Sequence, residues 1–373
     1  MGRTLWGFEQ EKVLTGNLTG PSLNISPQGA SVAARYDAFV RKRIAICVAL
    51  FVIAVAGFLL DLVIGPSDLG VHQVWAALID SGQASQAATS IVWQVRLPQA
   101  CLATLVGVAL SLAGAEMLTI LNNPLASPFT LGVSSAAAFG AALAIIIGAG
   151  LPGISQVWIV PANAFIFATI SVMLLQAIAR VRGSGIDTLV LCGIALFFTF
   201  NALTALLQFV ASQQALQQLV FWIMGSLARA DWQKVTVLAL VVAVVTPFSF
   251  AASRQLTALR LGEDRARSAG VNVTRLRFMS LLRVSLLTAA AMAFVGTIGF
   301  VGLAGPHIAR LLLGEDHRFF LPASAMTGAA IMALASIASK AILPGVLIPI
   351  GIVTALIGLP VFFSLILRPR RLA

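Results

Sequence analysis

The 373 residues include only three cysteines, three histidines and one tyrosine. Cys47, Cys101 and Cys192 lie in separate apolar runs without metal-type spacing, so they read as small buried hydrophobes rather than a disulfide framework or a redox centre. His72, His307 and His317 form no His-Glu-x-x-His or other ligand arrangement, and no Gly-x-Ser-x-Gly elbow occurs, which leaves hydrolytic chemistry without a foothold. None of the four lysines, Lys12, Lys42, Lys234 and Lys340, follows a glycine, so there is no phosphate-cradling Gly-x-x-x-x-Gly-Lys-Ser/Thr loop. The chain is therefore expected to bind no cofactor, and any ATP and magnesium are used by a separate subunit. Charge is scarce as well: 10% of residues are charged and 59% hydrophobic, against about 25% charged in an average soluble domain.

Long apolar runs occupy most of the chain, and they predict an all-α integral membrane protein. Crossing about 30 Å of hydrocarbon takes roughly 20 apolar residues. Ten segments qualify: 44–64, 100–121, 129–149, 157–179, 187–211, 235–253, 278–297, 299–313, 320–338 and 343–367. The stretch 278–313 is too long for one crossing, and Gly296, Gly299, Gly302, Gly305 and Pro306 supply its break. A net charge of +11 suggests nucleic acid until the basic residues are located; they sit at the ends of spans, so no nucleic-acid partner is expected and the surroundings are membrane lipids. With the N-terminus inside, only Arg96, Arg229, Lys234 and Lys340 of the 24 Lys and Arg fall outside, which predicts a multi-pass cell inner (plasma) membrane protein with both termini cytoplasmic. Residues 1–43 are polar and lack a signal core, so they are expected to form a flexible cytoplasmic tail; 44–368 are expected to form a ten-helix transmembrane domain and 369–373 a short cytoplasmic end.

Among the 31 glycines, small residues spaced as in Gly107-Val-Ala-Leu-Ser111 and at Ala113–Ala115 allow close helix approach. Asn122–Pro128 and Gly302–Pro306 read as helix breaks, and such breaks are tolerated at membrane depth only against protein or a wet path. A basic island fills 254–277, with Arg254, Arg260, Arg265, Arg267, Arg275 and Arg277 around Glu263 and Asp264. Leu261-Gly262-Glu263-Asp264-Arg265-Ala266-Arg267-Ser268-Ala269-Gly270-Val271 reads as a short polar helix and a small-residue turn.

These motifs, with Val92–Pro98, Leu131–Ser135, Phe221–Leu227, Gly299–Leu303, Pro306–Arg310, Asp316–Arg318 and Pro349–Gly351, resemble the FecCD family from about residue 40 onward in the family's order. These are permease subunits of binding-protein-dependent ABC importers for iron siderophores, haem and cobalamin. The resemblance implies a type II importer permease of ten transmembrane helices, paired with a second permease, two ABC ATPase subunits beneath and a periplasmic or lipid-anchored substrate-binding protein above. It implies that the cytoplasmic coupling loop 254–277 docks in the ATPase through Leu261, Gly262, Glu263, Ala266, Arg267, Gly270 and Val271. It also implies that Arg96 and Lys340 meet acidic side chains of the binding protein, and that Asn123, Leu125, Gly185 and Ile186 gate the path. An iron(III)-siderophore is the first cargo choice, with haem and cobalamin as alternatives.

Several positions depart from the family pattern. Gln99 stands where a second arginine is expected, Leu118 where glutamine is, and Asn122 where a charged residue is. Glu116 places a carboxylate inside the second span, which costs on the order of 3 kcal/mol on insertion scales. It is open to two readings: a ligand for cationic cargo or part of the gate, or a carboxylate bonded between helices. With Leu118, it suggests pairing with a different permease, although a homodimer stays open. His307 and the Asp316-His317-Arg318 turn read as structural, a helix start after Pro306 and a polar inner turn. An ion-coupled secondary transporter is the other class in play, but Glu116 is the only ionisable residue deep in a span that could carry the ion.

Overall fold

A computed structural model of the protein describes residues 27–67, 69–79, 84–129, 131–150, 153, 155–182, 186–343 and 345–367. All regular elements among them are helical. In chain order they are α1 (Pro27–Val63), α2 (Val71–Ile79), α3 (Gln86–Ile91), α4 (Leu97–Ile120), α5 (Val133–Ala142), α6 (Gln156–Arg182), α7 (Ile186–Val210), α8 (Gln213–Ile223) and α9 (Trp232–Ala251). They continue with α10 (Ser253–Arg260), α11 (Glu263–Ser268), α12 (Val273–Val295), α13 (Val301–Leu313), α14 (His317–Ala341) and α15 (Ile350–Leu367). Wider π-helical turns at Val92–Arg96 and Leu143–Ile147 lead into α4 and extend α5. The chain divides into two compact units, Met1–Lys42 and Arg43–Ala373. In the first, the described residues belong to α1; the rest of this account concerns the second.

Seven helices are long and apolar enough to cross a membrane, and three shorter apolar helices, Val133–Ile147, Val301–Leu313 and Ile350–Pro360, occupy the places of the other three expected segments. The protein is thus an all-α membrane protein with about ten spanning elements. Boundaries differ where hydropathy is blind. The helix expected to begin at 44 begins at Pro27, so 27–43 are helical rather than a flexible tail. Proline is pre-set for a first turn, and the Ala- and Arg-rich stretch behind it favours helix without being apolar. Residues 1–26 and 369–373 lie outside the described residues. The short helices α2, α3 and α8 escape a search tuned to spans.

One predicted break is displaced. Pro306 sits inside α13 rather than ahead of it, and the chain turns at 296–300, where Gly296 (φ 84°) ends α12 and Phe300 (φ 65°) starts α13 from the left-handed region. Pro306 has no N–H for the carbonyl of Gly302, four residues back. That carbonyl lies against Gly114 of α4, so closely that a methyl group on Gly114 would overlap it. His307 is accordingly a mid-helix residue, with Nδ1 3.0 Å from the Leu303 carbonyl.

Helix α4 is buried around its whole circumference, and α12, α13 and α14 pack on it. Between α4 and α14, methyls on Gly107 or Gly328 would strike the opposing backbone carbonyl. Ser111 sits against Gly305 and Gly328 and donates from Oγ to the Ser324 carbonyl at 2.6 Å. Small residues are needed here because lipid supplies no hydrophobic drive for helix association, and dispersion between close backbones must replace it. The breaks after α8, after α12 and before α15 interlock in the same way: Ser226 N donates to Val295 O (2.7 Å), Ile350 N to Gly225 O (3.1 Å) and Gly351 N to Met224 O (3.1 Å).

Gly328→Leu is expected to separate α4 from α14. Overpacking costs about 1–3 kcal/mol where side chains alone must move, and here backbone must move. Thermal unfolding in detergent should show a lowered midpoint, whereas an exposed change such as Leu334→Ala on the same helix should leave it near wild type.

Candidate coupling and gating site

Helix α10 continues from α9 and buries Leu256 and Leu259. Gly262 (φ 111°) and Gly270 (φ 81°) then adopt backbone angles that a side chain would strain, and between them α11 forms a single compact helix. Glu263 and Asp264 lie in its first turn and Arg265 and Arg267 in its last, each sign at the dipole end that favours it. Val271 N closes the turn onto the Ala266 carbonyl at 3.0 Å. The Glu263 carboxylate ties α11 to buried Arg277 of α12 and accepts from Arg267 at 3.2 Å. The seven expected coupling residues thus share one hairpin. Leu261, Gly262, Arg267 and Gly270 are exposed, Glu263 and Val271 are half-buried, and Ala266 faces inward.

A second set of side chains, which the sequence reading did not identify as a site, fastens this hairpin to the bundle. Arg260, the last residue of α10, makes a bidentate pair with Glu315 (Nε–Oε2 3.0 Å, Nη2–Oε1 2.5 Å) and donates from Nη1 to Asn122 Oδ1 at 2.6 Å. Arg310 also pairs with Glu315, and Asp316 pairs with Arg43 (3.3 Å) and Arg318 (3.0 Å). His317 caps the arrangement: its ring lies 2.7 Å from Thr119 Oγ1 and 3.2 Å from Thr257 Oγ1, while its backbone N donates to the same Thr257 hydroxyl. Helices α4, α10 and α14 meet on this one imidazole, which agrees with its structural reading. Burial alone would raise the Glu315 pKa, but the hydrogen bond from Arg260 and the charges of Arg260 and Arg310 outweigh it and hold the carboxyl below its ordinary value. Asp316 is likewise held low, against burial, by Arg318 and Arg43. The only cue in the sequence was the charged turn after α13.

Asn122 itself stands in the left-handed region (φ 43°) at the start of the break between α4 and α5. Asn123 Oδ1 accepts from Leu125 N at 2.9 Å, so the two expected gate residues form one tight turn, with Leu125 exposed. The break then runs to Gly132 (φ 80°), whose Cα lies against the Phe197 backbone of α7. Gly185 lies outside the described residues, and Ile186 is the first residue of α7, its side chain likewise outside them.

Three expected site residues are used internally. Glu116 is fully buried and forms a bidentate pair with Arg283 of α12 (Nη2–Oε2 2.6 Å, Nε–Oε1 2.9 Å), whose Nη2 also donates to Ser280 Oγ at 2.8 Å. Of the two readings open to it, the bond between helices is the one realised. Arg96 is 2% exposed and donates to the carbonyls of Leu62, Val63 and Ser67, closing the end of α1. Lys340 is 6% exposed and pairs with Asp61 at 2.9 Å. Neither presents its charge to a protein docking from outside, because carbonyls and a carboxylate left without water at a helix end claim the cation first.

The comparisons with known proteins agree with this architecture. The model of the FecCD transport family matches residues 52–368. A protein of Methanocaldococcus jannaschii described as an ABC transporter permease is 36% identical, covering 90% of this chain and 97% of that protein. The hemin transport system permease of Yersinia pestis is 33% identical over 84% of this chain and 95% of its own length. A solved structure described as an inward-facing conformation of a metal-chelate type ABC transporter superposes with a TM-score of 0.76 at 31% identity, covering 86% of this chain and 98% of that one.

Two outcomes are expected from these pairs. Glu116→Leu leaves Arg283 buried and unpaired, at a cost of about 3–5 kcal/mol, whereas Glu116→Leu with Arg283→Leu should recover most of it; thermal unfolding of both variants measures the difference. Because the Glu315 pKa is lower in the folded protein than the ordinary 4.5, its stabilisation is complete above pH 4.5 and lost as pH falls through the folded value. The unfolding midpoint of Glu315→Gln should therefore fall less steeply on acidification than that of wild type.

Proposed function

The chain belongs to the FecCD transport family and is a permease of an ABC importer, and from that premise we propose that it carries an iron(III)-siderophore complex into the cytoplasm by alternating access. A separate ATPase drives it, two copies gripping the permease pair from the inner side. The hemin permease of Yersinia pestis and the metal-chelate transporter support a chelated-metal cargo.

The observation that carries the mechanism is the Arg260 bridge. One guanidinium joins the end of the α10–α11 hairpin to Asn122, at the mouth of the α4–α5 break, and to Glu315, in the α13–α14 turn. Force applied to exposed Leu261, Asp264, Arg265 and Arg267 reaches α12 through Glu263 and Arg277, and reaches α4 and α14 through Arg260 and His317. A hairpin fixed at that many points moves as a body. That is what a switch between discrete packings requires. In this reading the hairpin docks in the ATPase, the Asn123–Leu125 turn opens with Gly185 and Ile186, the basic end is cytoplasmic with both termini, and a different permease covers the exposed faces of α7 and α15. A substrate-binding protein delivers cargo at the opposite end. Since Arg96 and Lys340 are engaged internally, it docks there on groups other than these two cations.

Uptake of radioiron-labelled siderophore by cells carrying the full system should be abolished by vanadate and unaffected by a protonophore; the reverse pattern would assign the protein to ion-coupled carriers. Deleting Leu261–Val271 should abolish co-purification of the ATPase. Arg260→Ala should leave ATPase binding intact and lower uptake per ATP hydrolysed at least about 5-fold, the lower end of typical coupling between two sites. Uptake per ATP equal to wild type would remove Arg260 from the coupling path.

A further inference from the structure

At the end opposite the coupling hairpin, a cavity of about 500 Å³ opens between α6, α8, α9 and α12. Its head is polar, formed by Gln217, Gln218, Arg229 and Lys234. Lys234 is satisfied: its Nζ pairs with Asp231 at 2.6 Å and donates to the Arg229 carbonyl at 2.6 Å. Arg229 is not. Its Nη2 reaches only the Val295 carbonyl, at 3.3 Å, its Nε is buried without an acceptor, and no carboxylate among the described residues pairs with it. With Asp231 cancelling Lys234, this head carries one uncompensated positive charge in a half-buried site, where an unpaired ion is costly and calls for an anion.

The rest of the cavity has the opposite character. Pro161, Ala293 and Phe294 also line an adjoining space of about 220 Å³, whose walls from Trp158 to Val241 are apolar. That slot runs along α6 and α9, two of the most outward-exposed spans of the bundle. Trp158, edge-on to Phe294 at 5.8 Å, lines the apolar slot, and tryptophan is a residue enriched at membrane interfaces. One anionic head and one long apolar tail, entering from the lipid side, describe a phospholipid. A water-soluble metal chelate has no use for the slot.

We propose that this cavity is a binding site for one anionic phospholipid, with its phosphate against Arg229 and an acyl chain in the groove between α6, α9 and α12. A lipid held there would wedge α12, which carries Arg277 and Arg283, against α6 and α9.

The test uses the full chain with its accompanying subunits, extracted in mild detergent. Native mass spectrometry reads retained lipid, and thermal unfolding is followed with added phosphatidylglycerol, phosphatidylcholine or inorganic phosphate. The wild-type complex should retain phosphatidylglycerol and unfold at higher temperature with it than with phosphatidylcholine or with phosphate alone. Arg229→Gln should reduce the preference for the anionic lipid about tenfold, the size of one charge-assisted hydrogen bond; Arg229→Lys should restore part of it, and Ala293→Phe, which narrows the passage to the slot, should lower retention of both lipids. Equal stabilisation of wild type by the two lipids would overturn the proposal without recourse to any variant. So would stabilisation by inorganic phosphate equal to that by the lipid, which would make this an anion site alone, or displacement of the lipid by a ferric chelate, which would make it a cargo site.

Discussion

Inside a bilayer an ionised side chain has no water to fall back on, so most of the buried charges among the described residues are met by a partner within the bundle. Glu116 finds Arg283, Lys340 finds Asp61 and Glu263 finds Arg277. Arg96 finds carbonyls instead. Two of these pairings join helices far apart in sequence, α4 to α12 and α1 to α14; the third ties α11 to the α12 that follows it. Breaking one leaves the partner stranded, so each fixes a neighbour relation more firmly than its net contribution to stability would suggest.

Close backbone packing is the second device, and it depends on the first. Gly107, Gly114, Gly302 and Gly328 allow α4, α13 and α14 to approach until carbonyls press on opposing Cα atoms. Glu116 lies two residues beyond Gly114, so the pair with α12 and the glycine contact with α13 set the rotation of α4 together. At its C-terminal end, the same helix is held by Thr119 on His317 and by Asn122 on Arg260. Three kinds of contact along one buried helix connect the α10–α11 hairpin to the bundle core.

Much of this was legible in order along the chain. Ten apolar segments, the basic island and the glycine spacing follow from local composition, and each has a counterpart among the helices and turns. The differences between sequence and structure share a cause. Arg96 and Lys340 are rare charges on a sparsely charged face, which reads as exposure until the open end of α1 and Asp61 are seen to claim them. Pro306 reads as a break because the carbonyl of Gly302 has no visible use, and only the nearness of Gly114 gives it one. The Arg260–Glu315–Asn122 set joins positions separated by 138 and 55 residues, with no motif to connect them.

Composition and periodicity by themselves determined that this is a polytopic helical membrane protein, and where its basic polar loop lies, because crossing lipid constrains every span independently of its neighbours. Which charge meets which partner, and whether a cation faces outward or closes a helix end, was decided only by the tertiary structure. Electrostatic pairing in a dry interior depends on distances of a few ångströms between segments whose separation along the chain carries no information about them.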